Sequence, residues 1–243
     1  FRALGSSMPA SASQTALNTI MSDSLDYAST RLEKLSGGDP EKLPAAVGKL
    51  IQEIVEEHSA VIFNGDGYSE AWTEEAKRRG LLNLPTTVDA LPRYLDQKNV
   101  ELFTSHKIYT EAEMEARYET IIEEYSKTLN IEALTMSEMV RRDILPAVSG
   151  YIASLAEAVA SKRAAVAGLP CAAETSLIQK LSSLLDSAYE KVEALDTLVA
   201  DGKAESHNAL TAATYYKDVI IPAMNELRAV VDQMEVDTAS QFW

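Results

Sequence analysis

The chain has 243 residues, 46% of them hydrophobic, a single cysteine and a formal net charge of −15 at neutral pH. That length and apolar content are enough to bury a core, while the negative balance repels nucleic-acid phosphates and anionic headgroups, so neither nucleic acid nor a membrane is expected as a partner. One cysteine, Cys171, cannot form an internal disulfide and fits a cytoplasmic protein; no apolar run approaches the roughly 18 residues of a membrane span, and no signal peptide is evident.

Residues 1–12 are a lead-in rich in Ser and Ala, with Pro9 opposing an early helix. The chain starts at Phe1 and reads as a piece of something longer. A first helix is expected over 13–35, with Ala16, Ile20, Leu25, Leu32 and Leu35 near one stripe, stopped by Gly37-Gly38-Asp39-Pro40. A second is expected over 44–62, where Val47, Leu50, Ile51, Ile54 and Val55 follow the 3.6-residue period. Asn64-Gly65-Asp66-Gly67 dictates a turn, and Ser69 is placed to cap a short helix ending before Gly80. Two short helical pieces follow, the first opened by Thr86 or Thr87 and interrupted at Pro92.

Thr110 and Glu113 have the spacing of a capping box, so a long helix starts there. A bend is expected near Asn130 and a kink at Pro146. Gly168-Leu169-Pro170 ends that helix, another runs over 172–200, and a last over 205–236 contains Pro222. The expected fold is all-α: long antiparallel helices in a bundle with partly coiled-coil seams, plus shorter connecting helices. Its organisation reads as a lead-in at 1–12, mixed long and short helices at 13–109, and a long-helix bundle at 110–243.

The residue types that carry chemistry are scattered. His58, His106 and His207 have no metal-ligand spacing and no Glu three residues ahead, so they read as helix-surface or helix-end residues. The stretch from Asn64 to Glu75 looks superficially like a calcium loop, but Tyr68 and Ser69 stand where an oxygen ligand and a glycine belong. Phosphate binding at the same turn is opposed by Asp66, Glu70, Glu74 and Glu75. Cys171 sits at a helix start without a nearby histidine and reads as inert. The Glu runs of 111–124 read as solvated faces; Tyr94, Tyr109, Tyr118, Tyr125 and the Tyr215-Tyr216 pair read as packing.

Four segments, in order, carry a resemblance: Phe1-Arg2-Ala3-Leu4-Gly5-Ser6-Ser7; Phe63-Asn64-Gly65-Asp66-Gly67-Tyr68-Ser69; Arg79-Gly80-Leu81-Leu82-Asn83-Leu84 with Thr86-Thr87 and Ala90-Leu91; and Tyr125-Ser126-Lys127-Thr128-Leu129-Asn130-Ile131-Glu132-Ala133-Leu134. Together they resemble the C-terminal part of a type III glutamine synthetase, and the likeness extends over nearly the whole chain. The resemblance implies a parent enzyme that uses ATP to phosphorylate glutamate and lets ammonia displace the phosphate, with Mg²⁺ or Mn²⁺ at its site. It also implies that Arg2 matches the arginine that stabilises charge on the substrate and the transferred phosphoryl group. The metal ligands and nucleotide-binding residues are expected upstream of Phe1. The segment is then a non-catalytic scaffold or subunit contact whose partners are its own catalytic domain and neighbouring subunits of a homo-oligomeric ring. The alternative from the helix pattern alone is a free-standing helical protein–protein interaction module.

Overall fold

The structure, a computed structural model, describes residues 8–204 and 208–243. Among these residues every regular element is helical. They divide into two compact units, 1–118 and 119–243, with the boundary inside one long helix.

In the first unit, α1 (Ser11–Ser36) ends where Gly37 turns left-handed at φ 64° and its N–H donates to the Glu33 carbonyl. The Asp39 side chain accepts the Glu41 N–H and opens a 3-10 turn at Pro40–Lys42. That turn leads into α2 (Leu43–Glu57), which carries Pro44 in its first turn. α1 and α2 pack together, with Ala46 and Leu50 buried, and Arg31 reaches Glu53 through two hydrogen bonds of 2.9 and 2.8 Å.

The sequence period suggests helix up to residue 62, but α2 stops at Glu57 and a 3-10 turn at Ser59–Val61 replaces its last turn. The Arg79 guanidinium donates to the Ala60 and Ile62 carbonyls at 3.2 and 2.8 Å, which holds this turn from a residue far along the chain.

α3 (Glu70–Arg78) starts at Ser69, whose hydroxyl accepts the Trp72 N–H, and gives way at Gly80, φ 75°. α4 (Thr87–Ala90) is capped by Thr86, a 3-10 turn at Leu91–Leu95 accommodates Pro92, and α5 (Gln97–Ser105) follows. Phe103 of α5 is buried between Tyr94 and Tyr109, at centroid distances of 5.9 and 5.5 Å.

α6 (Glu111–Met139) opens with the expected capping box: the Thr110 N–H donates to Glu113 Oε2 at 2.8 Å, and the Glu113 N–H donates to Thr110 Oγ1 at 3.3 Å. No bend occurs at Asn130; α6 runs through it unbroken. The departure from α geometry comes later, at Val140–Ile144, a π-helical segment. α7 (Leu145–Ala165) then continues with Pro146 in its first turn.

Proline lacks an N–H, and its ring collides with the carbonyl four residues back. Widening the preceding turn, so that the Leu145 N–H donates to Val140 five residues behind, relieves that collision without breaking the helix. The same solution recurs in the last helical run: α9 (Ala209–Tyr215), a π segment at Tyr216–Ile220, then α10 (Ile221–Asp237) with Pro222 in its first turn. α9 begins at Ala209 with Asn208 as cap; the expected start at 205 lies outside the described residues.

The helical run 111–165 contains a window long and apolar enough to cross a membrane, contrary to the sequence expectation, and little of it is buried. α7 carries Leu145, Val148, Ile152, Leu155 and Val159 set among alanines, with Ser149, Ser154 and Glu157 between them.

α8 (Ala172–Ala204) is the spine of the second unit: α7 and α10 both pack along it, and so do the two π segments. Leu181, Ala188, Val192 and Leu195 of α8 are closed from solvent with Val140 and Val148 on one side and Ile220, Leu227 and Met234 on the other.

Near the end of α8, Gly202 leaves room for a ring. A Cβ there would lie 2.6 Å from the ring of Tyr215, whose hydroxyl donates to the Leu198 carbonyl at 3.0 Å and whose ring meets Tyr216 edge-on. Gly-to-Ala inside a helix ordinarily stabilises by up to about 1 kcal/mol. Gly202→Ala is expected to do the opposite, costing about 1–3 kcal/mol through overpacking. A thermal midpoint at or above that of the parent chain would contradict this account.

Candidate functional site

The best-built cluster of polar and aromatic groups in the first unit surrounds the Phe63–Ser69 turn. Asp66 Oδ1 accepts the Tyr68 N–H at 2.9 Å, and the Ser69 hydroxyl donates to the Asp66 carbonyl at 2.7 Å. A Cβ on Gly65 would fall 2.5 Å from the Phe63 ring, so only glycine lets the chain fold over that ring. Phe63 stacks on Trp72 of α3 with centroids 4.3 Å apart.

Arg79 lies against both rings, 5.9 and 5.6 Å from their centroids, while its forked head also meets Glu75 at 2.6 Å and the two carbonyls already named. Two arginines, Arg78 and Arg79, donate to Glu75 and hold its carboxyl down at about 2 against an ordinary value of 4.5. With Lys77 and Arg78, Arg79 stands at the C-terminal end of α3. Its five donors and flat face make it the tie between a helix end, a turn and a ring pair. The chemistry of this cluster is that of a clamp: every polar group named in it has a protein partner.

The remaining residues singled out from sequence land apart. His58 caps α2 and His106 caps α5, where its Nε2 lies 3.1 Å from Asp23 Oδ1 of α1. His207 and Arg2 lie outside the described residues. Cys171 is buried at φ 45°, and its carbonyl accepts the Thr175 hydroxyl at 2.8 Å. Among the described residues no three His, Cys, Asp or Glu side chains converge as a metal ion would need. In the Asn64–Glu75 stretch Asp66 is spent on its own turn and Glu75 on two arginines.

In the second unit, Arg141 of the first π segment bridges to α8. It donates to Asp196 at 3.2 and 2.6 Å and to Glu193 at 2.5 Å, and Ser137 donates to the same Asp196 at 2.6 Å. Sequence reading missed this node; its only signal is Ser137 and Arg141 at helical i, i+4 spacing. A largely apolar pocket of about 450 Å³ lies between the end of α6 and α10, lined by Ile131, Met136, Met139, Val140, Met224, Leu227 and Val231, with Glu132 and Arg228 among its polar lining residues.

Residues 46–163 match the family model described as "Glutamine synthetase C-terminal domain". The chain is 36% identical over 207 residues to "Glutamine synthetase" of Butyrivibrio fibrisolvens, covering 83% of this chain and 29% of that protein. It is 33% identical over 246 residues to "Type-3 glutamine synthetase" of Dictyostelium discoideum, covering 100% of this chain and 33% of that one. With "Glutamine synthetase" of Bacteroides fragilis the identity is 27% over 253 residues, 100% of this chain and 34% of the relative. The chain thus spans about a third of the length of the relatives it matches.

The depressed Glu75 carboxyl has a consequence for acid stability. Its stabilising contribution is fully present above the ordinary value of 4.5 and is lost as pH falls toward about 2. Glu75→Gln should therefore lower the thermal midpoint at pH 6, and the gap from the parent chain should shrink as pH is taken from 5 to 2. A gap that stays constant over that range would show that the arginine pairing does not act in the folded state.

Proposed function

Because this chain belongs to the glutamine synthetase family as a C-terminal helical region, we propose that it is the non-catalytic frame of an ATP-dependent glutamate–ammonia ligase. The observation that carries this reading is the match itself: the chain follows a type III relative and a further glutamine synthetase over its whole length while making up only a third of theirs, and the family model it fits is a C-terminal one. The remaining two thirds of such a polypeptide hold the chemistry.

The described residues support that division of labour. Several of their carboxylates are tied to cations of neighbouring elements: Glu53 to Arg31, Asp196 and Glu193 to Arg141, Glu174 to Lys162, Asp237 to Lys180 and Glu226 to Lys191, and among the described residues no three metal-ligating side chains converge. A nucleotide and divalent ions need free carboxylates and phosphate clamps held at one place, and these residues do not fit such a group. No catalytic step is therefore assigned to them.

In the parent enzyme the ATP and the Mg²⁺ or Mn²⁺ belong to the upstream portion. Arg2, by its place in the Phe1–Ser7 segment, is the one residue of this chain that reaches the reaction, where its fixed positive charge stabilises the phosphoryl group in transfer. Residues 1–12 are then the end of the catalytic domain, and the helices after them contact that domain and neighbouring subunits of a homo-oligomeric ring. The ligase works in the cytoplasm, where its ATP is.

Two measurements test the reading. The full-length polypeptide should form glutamine from glutamate, ammonia and ATP with Mg²⁺, whereas residues 1–243 alone should show no turnover; activity in the short chain overturns the division. Arg2→Ala in the full-length enzyme should cut turnover roughly a hundredfold or more, the scale of losing one group that stabilises transition-state charge. An unchanged rate removes Arg2 from the site.

A further inference from the structure

The first half of α1 buries Thr19 and meets α5 through Asp23 and His106, but much of its surface is bare. Its N-cap residue Ala10 makes no side-chain cap, and no acidic residue stands in its first turn. Residues 20–27 are exposed all the way round. Helices in proteins draw most of their stability from packing an apolar face against something.

An apolar face is present. Leu17, Met21 and Leu25 follow each other at i, i+4 spacing with Ile20 beside them, and their exposures are 62%, 61%, 62% and 51%. Further along, the same stripe continues into the half-buried Leu32 and Leu35, in the half of α1 from which Arg31 pairs with Glu53 of α2. One continuous seam is therefore partly covered at its far end and bare at its near end. Four neighbouring large apolar side chains at such exposure form the kind of patch that marks an interaction surface.

We propose that this bare seam is the docking surface for the catalytic portion of the same polypeptide. The proposal rests on the reading above that the chain is the C-terminal part of a longer synthetase, and it names the contact that reading leaves open. Three observations select this occupant. α1 precedes residue 46, where the match to the family's C-terminal domain begins, so it belongs to the junction with what comes before. Relatives matched through α1 and α2 carry about two thirds of their length beyond the match.

The third observation is the tether. With residues 1–12 as the end of the catalytic domain, Leu17 stands five residues past it, less than about 20 Å even fully extended. A partner on so short a tether competes at an effective concentration in the millimolar range, far above a second copy arriving by diffusion. A docked catalytic portion would also supply the packing that α1 lacks.

The test uses the full-length protein with the photo-crosslinking residue p-benzoylphenylalanine in place of Met21 and, separately, Leu25, assembled from a mixture of isotopically light and heavy subunits. Both positions are exposed on the chain's own helices, so folding does not depend on them. Adducts to peptides upstream of Phe1, light to light and heavy to heavy, are the expected result. Adducts to residues 119–243, light-to-heavy adducts, or no adduct at all overturn the docking.

A second measurement is protease cleavage within residues 8–16 of the full-length chain. Leu17→Asp/Met21→Asp/Leu25→Asp should accelerate it about tenfold or more, because cleavage follows the population of the opened form; an unchanged rate also overturns the proposal. ATP-dependent glutamine formation by the same wild-type protein separates the two ideas. Its absence removes the synthetase reading, whereas its presence without adducts removes only the docking.

Discussion

The apolar seam of α8 is the contact on which the second unit depends. Leu181, Ala188, Val192 and Leu195 are fully withdrawn from water, and they are withdrawn because both α7 and α10 pack along this helix. Alanine at 188 lets backbones approach between bulkier Leu and Val neighbours, the interdigitation that bundle helices use to reach interior packing density.

Two prolines test that arrangement, and the bundle answers them in the same way. Pro146 and Pro222 each follow a five-residue π segment by two positions. A broken helix at either point would turn α7 or α10 away from α8 and expose the seam. Widening one turn keeps the helix going and shifts the side chains of the wide turn relative to an α register. Those shifted residues make long-range polar contacts: Arg141 to Asp196 and Glu193, and the Tyr216 hydroxyl donating to Asn130 at 3.2 Å. The prolines thus stand beside two of the points where the bundle is cross-linked by polar groups.

The first unit is built differently. Beyond α1 and α2 its helices are short, and one cation, Arg79, joins a turn, a helix end and a stacked ring pair through hydrogen bonds and ring contacts at once. A frame made of an aliphatic spine in one unit and a guanidinium clamp in the other suits a segment that positions things instead of transforming them. A net charge of −15 is consistent with that role, since surface charge of one sign keeps long apolar helices from associating indiscriminately.

Much of this was legible in the residues. The capping box at Thr110 and Glu113, the cap at Ser69, and the left-handed glycines at 37 and 80 are local instructions, each satisfied within a few residues of chain, so spacing alone reveals them. The all-α fold and the ends of most helices follow from the same local chemistry. The bend expected at Asn130 and the helical extension to residue 62 failed for a common reason. Both positions meet partners far away in sequence, the Tyr216 hydroxyl at Asn130 and Arg79 at the Ala60 and Ile62 carbonyls. Composition also hid the apolar window in α7, because alanine and serine dilute a pattern that leucine would have made plain.

What the sequence by itself determined is the set of helices and their caps, since a hydrogen bond between residues three or four apart needs nothing else to form. Only the tertiary structure decided where a helix widens to pass a proline, which cation is a clamp and not a solvated charge, and which stretch of an apolar stripe stays bare. Those outcomes depend on what stands opposite each side chain, and helical period alone does not specify the opposing surface.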